Sequence, residues 1–280
     1  MFKRVLLSYD FSKPSEELFL FLDELKDFNT EEVILTHVID PGMRALKVYE
    51  EAEKYFAPKK KELEEKSFNV QVEIPVGFPA QEINRMARKK NVSLILIGSK
   101  GRSKIKELML GSVAANIIRI SEVPVFIEKY KETKGSYNVV CTKKFCKILY
   151  PTDFSDPSQE VYEKLKELIR INPERIEEIV LSHVVDTGVT EEDIEERKEE
   201  AMKKLDKMKE ELKSLGTKVK IKIMVGVPSE NINNLAEEEE VTVVMLATRG
   251  AGGIKELLLG STAENVARRS SRPVMLFPYR

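Results

Sequence analysis

The chain has 280 residues, of which 42% are hydrophobic and 33% charged, and 46 basic against 47 acidic side chains leave a net charge of −1. That length allows one large domain or two ordinary ones, and the apolar content excludes wholesale disorder. The charge balance removes any general electrostatic case for nucleic acid or an anionic membrane as a partner.

Taken from the N-terminus, the first apolar run, Val5-Leu6-Leu7, stops at Ser8-Tyr9-Asp10, too short for the core of a secretory leader. No run in the chain approaches the ~18 residues of a membrane span, so a cytoplasmic protein is expected. Strands are predicted over residues 4–9, 32–39, 70–76, 93–97 and 123–127, which are rich in Val, Ile and Leu. Amphipathic helices are predicted between them over 13–28, 43–66, 79–90 and 104–120. Near-continuous apolar strands alternating with helices indicate a parallel sheet covered on both faces.

The order then repeats. "VLLSYDFSKPSEEL" returns as "KILYPTDFSDPSQEV", "VILTHVIDPG" as "IVLSHVVDTG", and "IPVGFPAQEINRMA" as "IMVGVPSENINNLA". The offset grows from 143 residues at Asp10 and Asp153 to 146 at His37 and His183 and 149 at Gly111 and Gly260, which is the mark of small loop insertions. Two domains are expected, over residues 1–130 and 146–280, joined by a polar linker over 131–145. Cys141 falls in that linker and Cys146 at its far edge, as "CTKKFC". With no His or second Cys pair nearby they make a poor zinc site, which leaves plain linker residues or a redox-sensitive pair. The second unit carries a long charged helix at about 190–215, whose polar faces are read as solvated. Lys and Glu dominate the charged set while Gln is scarce, a balance associated with proteins of hot environments.

The stretch after the fourth strand, "GSKGRSKIKELMLGS" at 98–112, has its copy in "ATRGAGGIKELLLGS" at 247–261. In an open parallel sheet, ligands bind beyond the carboxyl ends of the strands where their order reverses. The Asp after the first strand, the His-Val ending the second and the glycine stretch should converge there. Gly98 and Gly101 are expected to let the backbone turn, and Gly111-Ser112 precedes a helix-like run with Ser as its cap. Free N–H groups at a helix start suit an anion, and an acidic side chain nearby suits a ribose hydroxyl. A bland account competes: Gly-Ser before a helix is often only a cap, and Ser261 with Glu264 reads as a capping box. There is no Walker loop, no G-x-G-x-x-G, no G-x-S-x-G elbow and no His-rich metal cluster, so neither catalytic residues nor metal ligands are assigned. His37 and His183, the only tempting catalytic candidates, read better as hydrogen-bonded structural groups.

The pattern Gly98-x₂-Gly101-x₉-Gly111-Ser112, with "YPTDFS", "HVID" and the "RPV" ending at 272–274, resembles the universal stress protein family over nearly the whole chain. The resemblance implies two tandem doubly wound α/β domains, each a five-stranded parallel sheet in the order 3-2-1-4-5 with helices on both faces. It implies adenine nucleotide (AMP, ADP or ATP, with or without Mg) as ligand in some members and not in others. It also implies pairing of the two units through their last strands as an intramolecular pseudo-dimer, with a further homodimer left open. Carried onto this sequence, Asp10 and Asp153 match the acid near adenine and ribose, and Val38 and Val184 match the adenine-lining residue. Gly101, Gly111, Ser112 and Val113 match the phosphate cradle, as do Gly250, Gly260, Ser261 and Thr262 in the second unit. Ser8, Ile97 and Gly98, and Pro151, Leu246 and Ala247, complete the two candidate sites at the strand ends.

Two departures stand out: Ala247 replaces the first motif glycine, and Ser8-Tyr9 replaces the Pro-Thr found at Pro151-Thr152. A tighter first site for outer phosphates is expected, because Ala247 would penalise a positive φ. Lys100, Arg102 and Lys104 also face only Arg249, Ala251 and Gly253 at the matching positions. A nucleotide-binding sensor or switch in stress response is the reading the residues favour. A nucleotide-independent interaction scaffold and a slow nucleotide hydrolase are the alternatives.

Overall fold

A computed structural model describes residues 1–16, 18–42, 45–99, 110–133, 136–139, 141–186, 190–251 and 259–279. The chain divides into two compact units, Met1–Val139 and Val140–Tyr279.

In the first unit, strands β1 (Arg4–Ser8), β2 (Glu32–Thr36), β3 (Asn69–Glu73), β4 (Leu94–Gly98) and β5 (Val125–Glu128) lie in the order β3-β2-β1-β4-β5. Every pairing is parallel. The sheet order is the 3-2-1-4-5 expected. Val5, Leu6 and Leu7 are fully buried, as are Val33, Ile34 and Leu35 and Leu94 to Leu96. Burial of consecutive residues, rather than alternate ones, shows that both faces of these strands are covered. The helices that do so are α1 (Lys13–Glu16), α2 (Leu18–Lys26), α3 (Ala45–Glu65), α4 (Pro79–Lys89) and α5 (Ser112–Ile120). Right-handed crossovers place those after β1 and β2 on one face and those after β3 and β4 on the other. Helix α2 buries Leu18, Phe21, Leu22 and Leu25, and Phe21 meets Phe126 of β5 with ring centroids 4.3 Å apart. The predicted helix over 13–28 is thus observed as α1 and α2. Of the predicted helix over 104–120, residues 104–109 lie outside the described ones.

The segment read as a linker carries an antiparallel hairpin, β6 (Tyr130–Thr133) and β7 (Ser136–Val139), with Tyr130 opposite Val139. Strand β7 packs near α1.

The second unit repeats the plan with β8 (Lys147–Pro151), β9 (Glu178–Val185), β10 (Lys218–Val225), β11 (Val243–Ala247) and β12 (Val274–Phe277) in the order β10-β9-β8-β11-β12. Its helices are α6 (Asp156–Ile171), α7 (Glu191–Ser214), α8 (Pro228–Glu238) and α9 (Ser261–Arg269). Ser155 caps α6 by accepting from Ser158 N–H, and Thr190 caps α7 through Asp193 N–H. No helix among the described residues is long and apolar enough to cross a membrane.

Just past α4 and α8 the two units use opposite charges for one bridge. In the first, Lys90 Nζ, just past α4, lies 2.6 Å from Glu73 on β3. In the second, the matching positions hold Glu239 and Lys222, 3.0 Å apart. Glu239 also takes Lys147 at 3.0 Å and Lys220 at 3.1 Å, and Glu178 shares both lysines at 2.9 and 3.3 Å. The ammonium groups of Lys147 and Lys222 lead in holding the Glu239 carboxyl down to about 2.

Candidate functional site

Strand order reverses between β1 and β4 in the first unit and between β8 and β11 in the second, and a cavity opens at the carboxyl ends of each pair. The first has a volume of about 300 Å³ and the second about 560 Å³. Ser8, Asp10, Val38, Ile97, Gly98, Gly111, Ser112 and Val113 all line the first cavity. Gly101, like Lys100, Arg102 and Lys104, lies outside the described residues. Pro151, Asp153, Val184, Leu246, Ala247, Gly250, Gly260, Ser261 and Thr262 all line the second. Gly253 is outside the described residues.

Each cavity is built on the turn that follows the central strand. Asp10 Oδ1 accepts from Ser12 N–H (3.1 Å) and Oγ (2.6 Å), and Asp153 Oδ1 accepts the same pair from Ser155 at 3.1 and 2.5 Å. The residue between, Phe11 or Phe154, is forced into the left-handed region at φ 60° or 61°. A side chain there costs on the order of 1 kcal/mol or more, and finding it in both units marks a turn whose shape matters more than its comfort. Ring contacts help to hold it: Phe11 lies 4.3 Å from His37 and Phe154 4.8 Å from His183, centroid to centroid. The histidines themselves are anchored, His37 Nδ1 donating to Tyr9 O (2.8 Å) and His183 Nδ1 to Thr152 O (2.7 Å). Each is thus hydrogen-bonded to the residue just past the central strand, and His37 also lines the first cavity.

The helix starts differ from expectation. Gly111 and Gly260, not the serines, are the N-caps, both extended, and no side chain caps either helix. Ser112 and Ser261 are first helical residues. The capping box of Ser261 and Glu264 does not form: Glu264 N–H bonds to Gly260 O (2.9 Å), and its carboxylate pairs with Arg268 at 3.1 Å. The first-turn amides of α5 and α9 are therefore left without intrahelical acceptors at the cavity wall. The loop ends are drawn together by Gly111 N–H to Ser99 O (2.8 Å) and Gly260 N–H to Thr248 O (2.7 Å).

Gly98 also departs from expectation. It does not turn the chain but ends β4 as an extended residue in register with Glu128, as Ala247 ends β11 opposite Phe277. The backbone-strain argument for a tighter first site falls with it, because alanine is at ease in a strand.

The cavities differ on the wall beside the central strand. Tyr9, only 2% exposed, stacks on Tyr55 at 4.8 Å; its hydroxyl donates to that of Tyr55 (2.5 Å), which donates to Glu16 (2.6 Å). Burial first, then the Glu16 charge, pushes the Tyr9 phenol above its ordinary range. In the second unit Thr152 takes that place and shares a 2.7 Å hydrogen bond with Ser158, to whose carbonyl Tyr150 donates. Burial raises the Tyr150 phenol to about 12.

Lining residues missed in the sequence include Asp40 and Asp186, Pro79 and Pro228, Ser15 and Ser158, and Ser99 and Thr248. The first three pairs had a usable signal, since each recurs at the same place in the two repeats.

The description "universal stress protein family" is matched by residues 1–129 and again by 144–278. The chain belongs to the universal stress protein family. Universal stress protein MJ0577 of Methanocaldococcus jannaschii is 37% identical over 153 residues, spanning 46% of this chain and 93% of that protein. Universal stress protein Slr1230 of Synechocystis is 24% identical over 251 residues, 89% of this chain and 79% of that one. A universal stress protein from Archaeoglobus fulgidus superposes on 99% of both chains with a TM-score of 0.78 and 28% identity.

Proposed function

We propose that each unit of this universal stress protein binds one adenine nucleotide in its cavity and that the chain acts as a regulatory module in stress response. The observation that carries the reading is the repeated convergence of a carboxylate, an apolar wall and a helix start without a side-chain cap on one cavity. The volumes, about 300 and 560 Å³, fall within or near the usual size of a small-molecule site. Val38 and Ile97, or Val184 and Leu246, would pack against the base, Asp10 or Asp153 would accept from the ribose, and the helix amides would take phosphate. Any Mg would be held chiefly by the phosphates and water.

Protein purified without added nucleotide is expected to release AMP, ADP or ATP on heat denaturation, identified by chromatography of the supernatant. Release of none, with no heat of binding for any of the three, would sink the reading. Pairing of the two units within one chain belongs to the same proposal. Disulfide cross-linking between cysteines introduced into the two last strands tests it, and failure of every such pair to cross-link counts against it.

A further inference from the structure

Asp153 does more than point a carboxylate at the second cavity. Its Oδ1 is occupied by Ser155, and its Oδ2 accepts Ala251 N–H at 2.7 Å, across 98 residues of sequence. Gly250 lies against that oxygen so closely that a Cβ there would collide with it, so the approach exists only because the residue is glycine. One residue earlier, Arg249 lines the cavity with its Nε buried and no acceptor among the described residues. One residue before that, the Thr248 carbonyl is tied to Gly260 N–H at the start of α9. The turn over 249–251 is thus clamped at both ends, and the guanidinium and the free helix amides border one cavity.

We propose that Asp153 is a positioning residue for the anionic end of the ligand: it pins the 249–251 turn so that Arg249 and the α9 amides meet one phosphate group. The inference rests on the nucleotide reading for its ligand, but the pin itself is a property of the ligand-free protein. It also makes a prediction opposite in sign to simple electrostatics. Removing a carboxylate near a phosphate should by Coulomb repulsion alone strengthen phosphate binding. If the carboxylate works by ordering a glycine-containing turn, its removal returns conformational freedom that the ligand must then suppress.

The test compares adenosine with ATP by calorimetry, in protein whose first cavity is obstructed by Gly111→Val. In Asp153→Ala the preference for ATP over adenosine is expected to fall about tenfold, on the scale of ordering one or two residues. Gly250→Ala keeps the carboxylate charge and breaks the contact through the clash of its Cβ with Oδ2, and should lower the same preference by a similar factor. The double variant should fall little further, because both changes break one contact. A preference that rises in Asp153→Ala, parallel losses for adenosine and ATP, or additive effects would overturn the proposal. Gly250→Ala stands in if Asp153→Ala fails to fold. Without any ligand, exchange of the Ala251 amide with solvent should speed up at least about tenfold in either variant. An unchanged rate overturns the pin even if neither adenosine nor ATP binds, whereas faster exchange with no binding overturns only the nucleotide reading.

Discussion

Glu239→Lys should destabilise the second unit by about 3 kcal/mol, and Lys222→Glu added to it should restore a large part of that loss. The Glu239 side chain is only 13% exposed and lies within 3.1 Å of the ammonium groups of Lys147, Lys220 and Lys222. Reversal would place a fourth ammonium among three, and breaking a largely buried ionic cluster costs ~3–5 kcal/mol when it leaves charge unpaired. The lysines are partly exposed, with Lys220 and Lys222 at 47% and 44%, so the lower end of that range is expected. Restoration by the second change follows from the first unit, which already holds the bridge the other way round as Lys90 with Glu73 at 2.6 Å. The swap would be incomplete, because Lys147 would keep Glu178 as partner and lose Glu239. Urea denaturation checks both: a single variant within about 0.5 kcal/mol of the parent, or a double variant no better than the single, would refute the account.

The same carboxyl predicts an acid limb of stability. A folded-state value near 2, against an ordinary 4.5, means that the carboxyl contributes fully above about pH 4.5. That contribution is lost as pH falls from there towards 2, and Glu239→Gln should flatten the stability profile across that window.

Asp10→Ala should weaken nucleotide binding in the first cavity by roughly ten- to a hundredfold, from loss of a hydrogen bond to a charged group worth ~1.5–3 kcal/mol. It should also cost some stability, since Oδ1 holds the Ser12 N–H and with it the turn through left-handed Phe11. Asp10→Asn separates the effects: it keeps an acceptor for the turn and removes the charge. Calorimetry with the second cavity obstructed by Gly260→Val gives the affinity, and a first-cavity affinity unchanged in Asp10→Ala would contradict the assignment.

The repeated text by itself determined a great deal about this protein: two units, five strands in each, and an Asp and a Gly-Ser carried to one end of each sheet. It could do so because burial on both faces writes continuous apolar runs, and because topology then delivers the ends of those runs to one place. Every described candidate residue accordingly lines one of the two cavities. What only the tertiary structure decided are contacts between segments far apart in sequence. Ser261 and Glu264 have the spacing of a capping box, yet the helix begins one residue earlier than that box requires, and Gly260 caps it. Gly98 looks like a turn residue but pairs with Glu128, because β5 extends the sheet that far. Glu73 and Lys90 are unremarkable apart, and only the return of the chain from α4 towards β4 brings them together. Asp153 and Ala251 meet across the cavity wall only where Gly250 leaves room. Local propensity and periodicity report how each segment meets the core. Which polar groups then satisfy one another depends on register and loop closure, and these exist only once the sheet has assembled.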